Sequence, residues 1–150
     1  MVPAYETELD RLLDQVRDLL GAADDAHLAD ANIAVNHALQ LAPDSVEAWL
    51  LKCQVASAQG DDLAALAACE MAFARAPDRA ECLYWRGAVL GDLGRHRDAL
   101  GAIEGALRVI ADGDHWLLED LFYEKTLVLD ALGLHDAALA VITDGLTRCP

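Results

Sequence analysis

Aromatic side chains make up only 5% of this sequence, proline appears 4 times in 150 residues, and no apolar run approaches the length of a membrane span. Each scarcity excludes something. Strands draw on β-branched and aromatic residues, so a chain whose 55% apolar content rests mostly on Ala and Leu is not expected to be β-rich. Ala and Leu are strong helix formers, and few prolines leave helical stretches unbroken. A bilayer-crossing helix needs about 20 consecutive apolar residues, so no membrane insertion is expected. Cations are scarce as well: 11 Lys and Arg stand against 26 Asp and Glu, a net charge of −15. Such a surface repels phosphate backbones and anionic lipid, which makes nucleic acid an unexpected partner and a basic or neutral one an expected one. The start, Met1-Val2-Pro3-Ala4-Tyr5-Glu6, has neither the basic opening nor the apolar stretch of a signal peptide. Cys53, Cys69, Cys82 and Cys149 show no CxxC spacing and read as buried free thiols in a cytoplasmic, reducing setting. Were the protein exported, Cys53 and Cys69 would fall on facing helices, where a disulfide is open to them.

What the sequence does have is a period. Pro43-Asp44-Ser45-Val46-Glu47-Ala48-Trp49 recurs 34 residues later as Pro77-Asp78-Arg79-Ala80-Glu81-Cys82-Leu83, and Gly60 recurs 34 residues later as Gly94, then after 39 as Gly133. Five residues beyond each glycine stands Ala65, Ala99 or Ala138, and seven further on Ala72, Ala106 or Gly145. Each landmark has a mechanical role. Proline ends one helix, and the Asp after it is placed to cap the next, with Glu47 or Glu81 three residues on completing a capping box. Glycine supplies the left-handed residue that closes a helix. The small residues let two antiparallel helices approach, while Trp49, Leu83 and Phe122 fill the space between them.

This pattern resembles the tetratricopeptide repeat, whose unit is a 34-residue helical hairpin, and the resemblance spans nearly the whole chain. The second hairpin matches best, through Trp49, Gly60, Ala65, Ala72 and Pro77; the third has Ala111 where proline is expected. The first is degenerate, with Ala26 at the glycine position. The resemblance implies an all-α fold, a right-handed superhelix of four hairpins in a single domain, at about 5–43, 45–77, 79–111 and 114–150. Eight helices are expected near 5–21, 27–41, 45–59, 62–75, 79–93, 96–110, 114–132 and 135–148, with the extra five residues of the last unit lengthening the seventh helix at its start.

No catalytic residue, metal ligand or cofactor site is assigned, and the expectation is a protein that is not an enzyme. Hydroxyls such as Ser45, Ser57, Thr126, Thr143 and Thr147 have no base at a fixed spacing. His27, His96 and His135 sit in turns of three hairpins, about a helix diameter apart and too far for shared coordination. Asp24-Asp25, Asp61-Asp62 and Asp112-Gly113-Asp114 stand near helix starts, where carboxylates cap and offset the dipole; the last lacks the twelve-residue calcium pattern.

In the repeat family, the first helices of successive hairpins line a concave face. Transferred position by position, that face would carry Glu47, Leu50, Leu51 and Gln54, then Glu81, Tyr84 and Trp85 with Ala88 and Asp92, then Trp116, Asp120, Tyr123, Leu127 and Asp130. The last five follow at helical spacing, as one stripe. An apolar, aromatic floor edged by acids suits a protein or peptide segment bearing apolar and basic residues; the alternative is that these side chains simply fill the inside of the superhelix. The Lys, Asn and Arg of the family's carboxylate clamp are missing, which argues against chaperone-tail binding. Lys52, Arg86 and Lys125 recur with the repeat and are expected to pair across the stack with acids. The functional expectation is an adaptor or scaffold for a bacterial-type protein partner. The alternatives are a secretion-type chaperone for a partner subunit and a homo-oligomerisation module. For the latter, Leu139 and Leu146 on the uncapped last helix are the expected contact.

Overall fold

The computed structural model describes residues 7–22, 24–111 and 115–149. The expectations that fall on Met1 to Glu6, on Asp112-Gly113-Asp114 and on Pro150 lie outside them. Among the described residues eight helices run in order: α1 (Glu8–Ala22), α2 (Asp25–Leu41), α3 (Val46–Ala58), α4 (Asp62–Arg75), α5 (Ala80–Asp92), α6 (His96–Ile110), α7 (Leu118–Ala131) and α8 (His135–Arg148). The described residues contain no strand, and none of their helices is long and apolar enough to cross a membrane. The chain divides into two compact units, Met1–Ala76 and Pro77–Pro150. In the first, α1 pairs with α2 and α3 with α4; in the second, α5 pairs with α6 and α7 with α8.

The punctuation expected of the glycines is present. Gly60, Gly94 and Gly133 have φ of 76°, 77° and 76°, values L side chains rarely adopt. The N–H after each glycine reaches back along the helix it closes, from Asp61 to the Ala56 carbonyl at 2.9 Å, Arg95 to Leu90 at 2.8 Å and Leu134 to Leu129 at 2.9 Å. Those carbonyls would otherwise be orphaned at the helix ends. Ala111, at the position where proline was expected, has φ 48°. Proline is locked near −65° and could not sit there.

Helix starts differ from expectation in one instructive place. Asp44 does not cap α3. Ser45 does, its hydroxyl accepting from the Ala48 N–H at 3.2 Å, and the box with Glu47 therefore does not form. Asp44 instead accepts from Arg75 Nε and Nη2 at 3.2 and 3.1 Å, while the guanidinium lies 5.8 Å from the centre of the Trp49 ring. The Trp49 indole donates to the Pro43 carbonyl at 2.8 Å. Trp49 is thus a clasp holding the start of α3 to the end of α4. α5 has no side-chain cap, whereas Asp24 and Asp61 cap α2 and α4 as expected. Ser45→Ala should cost about 1 kcal/mol in chemical denaturation. Asp44→Ala should cost well under that, because an exposed ion pair contributes little; the reverse order would restore Asp44 as the cap.

Packing inside each hairpin depends on small residues. Ala31, Ala38, Ala65, Ala72, Ala99 and Ala106 are fully buried, and Gly145 is buried at the matching place in α8. A methyl group on Gly145 would meet Phe122 at 3.5 Å, and one on Gly105 would meet Leu83 at 3.7 Å. The four cysteines are free thiols, three of them buried.

α7 is the main departure from the expected helix bounds. It starts at Leu118 rather than near 114, so the additional residues lengthen it by only one over α5. His115 begins a turn in which the Leu118 N–H donates to its carbonyl at 2.9 Å and the Leu117 N–H to its Nδ1 at 3.1 Å. This turn drives Leu117 into the core and leaves Trp116 68% exposed beside the His115 ring.

Candidate interaction surface

Most of the expected groove and end-contact residues separate into four groups. Leu50 and Leu51 are core residues, 1% and 4% exposed, so they are not open to a ligand. Leu51 packs with Val16, Val35, Ala48 and Val55 in the first unit. Gln54 is half-buried on α3, and Glu47 is paired with Arg17 at 3.6 Å. That pair ties α3 to α1.

Glu81 and Trp116 come together in the second unit. They line a cavity of about 160 Å³ with Arg79, Ala80 and His115, and Arg79 donates to Glu81 at 2.8 Å. Trp116 therefore lies outside the helical stripe that its spacing suggested, because the chain turns at 115–117 before α7 begins.

Tyr84 and Asp120 form a third group, on the face that α5 and α7 share, with Trp85 against the Tyr84 ring. The Tyr84 and Trp85 rings meet edge to face, 5.3 Å between centres. Burial pushes the Tyr84 phenol up to about 12, helped by the carboxylates of Asp120, Glu124 and Asp92. Glu124 is also raised, by burial first and then by Asp92 and Asp120. Glu124 was missed in the sequence. It stands one turn beyond Asp120, at i+4, so a second acid on Asp120's face was legible; its burial beside Tyr84 was not.

Tyr123 and Leu146 are the fourth group. One was expected in the groove and the other at an end contact, yet both line a groove of about 400 Å³ between α7 and α8, with Phe122, Ile142 and Cys149. The register explains this placement. Val16, Leu50, Tyr84 and Tyr123 are equivalent positions at spacings of 34, 34 and 39. Val16 is fully buried where α3 packs on α1, whereas Tyr123 is 62% exposed. Leu127 is exposed on α7. Asp130 bonds His135 at 2.7 Å, and His27 bonds Asp24 at 2.5 Å.

Of the basic series, Lys52 donates to Asn32 and Asn36 of α2 at 2.6 and 2.9 Å, so its acceptors are amides rather than the expected acids. Burial lowers its pKa, opposed by Asp61. Lys125 does meet an acid, Glu104 of α6, at 3.5 Å.

No family model matches the sequence. No curated protein matches it either. Solved structures do. The protein described as "Crystal structure of MamA" is 20% identical, with a TM-score of 0.79 over 97% of this chain and 80% of that one. A second MamA structure gives 0.77 at 20% identity, over 94% and 73%. A thermophilic TPR protein of Thermus thermophilus gives 0.81 at 17% identity, over 97% and 76%. With glycine-closed hairpins at a 34-residue spacing and these neighbours, the chain has the tetratricopeptide-type helical-hairpin fold.

Proposed function

We propose that this protein is a non-catalytic interaction scaffold, and that the face shared by α5 and α7 takes a basic, partly apolar segment of a partner protein. The observation that carries this reading is the half-buried Glu124 beside Tyr84 and Asp120, with Trp85 against the Tyr84 ring. Burial, then Asp92 and Asp120, disfavour the ionised form of Glu124, so its charge is held there at a cost. A partner's Lys or Arg would lower that cost, and the Tyr84-Trp85 pair offers an aromatic anchor of the kind that dominates interface energetics. The acids would steer encounter and select the partner's charge.

The test is calorimetric titration with an amphipathic Leu/Lys peptide and its Leu/Glu counterpart. The Lys peptide should bind and the Glu peptide should not. Trp85→Ala should weaken binding by about 2 kcal/mol. Arg108→Ala, an exposed site on α6, should leave it unchanged, with circular dichroism confirming both folds. Because Glu124 holds its proton to a higher pH than an ordinary carboxyl, its charge is lost early on acidification. Affinity should therefore start to fall above the usual carboxylate range, and Glu124→Gln should remove that part of the pH dependence. Equal binding by Trp85→Ala and wild type would sink the assignment of this face.

A further inference from the structure

We propose that two copies of this chain pair through α8, each laying that helix in the other's groove between α7 and α8. This surface is separate from the α5 and α7 face and does not depend on it.

The repeat itself says what such a groove receives. α3 packs against both α1 and α2, and α7 against both α5 and α6, so within each unit the groove of one hairpin is closed by a helix. In the first unit the entering side chains include Ala48, Leu51 and Val55; in the second, Leu117, Leu118 and Leu121 on and beside α7 are buried. No described helix closes the groove of α7 and α8. Ile142 makes the difference plain: its register mates Val35 and Ile103 are fully buried, and it is 43% exposed.

A helix is therefore what fits there, and its chemistry follows from the lining. Glu119 is the one charged residue among the described residues that line the groove. Where Lys52 and Lys125 of an entering helix find Asn36 and Glu104, the equivalent residue of α8 is Thr143. At that place there is neither amide nor carboxylate, and apart from Glu119 the lining is uncharged, so the occupant presents mainly apolar side chains. α8 itself has them. Leu139, Ile142 and Leu146 are exposed at spacings of three and four, the pattern of a helix-helix seam. No other described helix exposes three large apolar side chains at such a spacing.

Head-to-tail stacking fails on the same register. The positions of α1 equivalent to Ala48 and Lys52 are Asp14, which holds Arg17 at 2.8 Å, and Asp18, both exposed, and bringing them against this groove would desolvate charge on a mostly apolar lining. A two-fold contact avoids this. With the two α8 helices antiparallel, Leu139 faces Leu146 of the second copy and the reverse, Ile142 lies near the axis, and no like charges are opposed across the seam.

Sedimentation equilibrium over a wide concentration range tests the proposal. Wild type should dimerise, and more strongly as salt rises, because screening relieves repulsion between two chains of −15. Leu139→Glu/Leu146→Glu should weaken the dimer by about 100-fold or more with unchanged helicity, since each substitution enters the seam twice. In a Cys149→Ser background, Thr143→Cys beside the axis should cross-link to itself on oxidation. A wild type that stays monomeric overturns the proposal, whether or not it takes up some other protein's helix there. So does a dimer that survives the double glutamate variant, or one that fails to cross-link at Thr143→Cys.

Discussion

Ile103→Ala should lower the stability of the protein by about 3 kcal/mol, seen as a shifted urea midpoint at unchanged slope. Ile103 is fully buried on α6, and it packs where α5 has no side chain at all. A methyl group placed on Gly87 would lie 2.6 Å from Ile103 Cγ1 and 3.4 Å from the Ala99 carbonyl oxygen. Cγ1 is the branch of a locked side chain rather than a flexible end, so it cannot move aside cheaply. Gly87→Ala alone should therefore destabilise: overpacking costs about 1–3 kcal/mol against a gain of about 1 kcal/mol in helix propensity. The sign should reverse in the Ile103→Ala background. There the new methyl enters the vacated space, and Gly87→Ala should recover about 1 kcal/mol. Additive effects in the four-member cycle would show that α5 and α6 do not meet through this pair.

Leu117→Ala should cost about 3 kcal/mol, while its neighbour Trp116→Ala stays within about 0.5 kcal/mol of wild type. By residue size alone the tryptophan looks the greater loss. The turn at His115 decides otherwise, since it buries Leu117 and leaves the indole outside. Thermal or urea unfolding of the two variants separates the cases. A large loss on removing Trp116 would mean that its ring packs against the protein after all.

These two cases show how far the sequence could be read. Hairpins and their closing glycines were legible because one residue type, at one spacing, performs one backbone task. Burial was much less legible. Leu50 and Leu51 are neighbours on a helix that is covered on more than one side, and spacing does not tell an inward residue from a groove-facing one when both are leucine. Tyr123 misled for a related reason: its register mate Val16 is a stacking residue, and exposure depends on whether another helix arrives, which no local pattern encodes. Asp44 and Ser45 were both competent caps one residue apart. Ser45 is the cap, and Asp44 pairs instead with Arg75, 31 residues away, a contact no local pattern encodes. Glu124 was visible as an acid but not as a buried one. The additional residues before α7 continued a helical spacing, and only the turn geometry at His115 revealed that the helix starts later.

The way that added length is taken up has a consequence for how such a chain tolerates change. Four residues separate α2 from α3 and α4 from α5, and seven separate α6 from α7. The lengthening falls between hairpins, and the interval from Leu117 to the closing glycine at 133 still matches that from Asp78 to Gly94. Insertions at this junction therefore leave helix register, turn geometry and small-residue packing untouched. Their cost is mainly the entropy of a longer closure, which rises by only about 0.6 kcal/mol for each doubling of length. A tag, reporter or foreign epitope grafted between α6 and α7 has to enter ahead of His115, because the His115 turn and the buried Leu117 belong to the packing of α7.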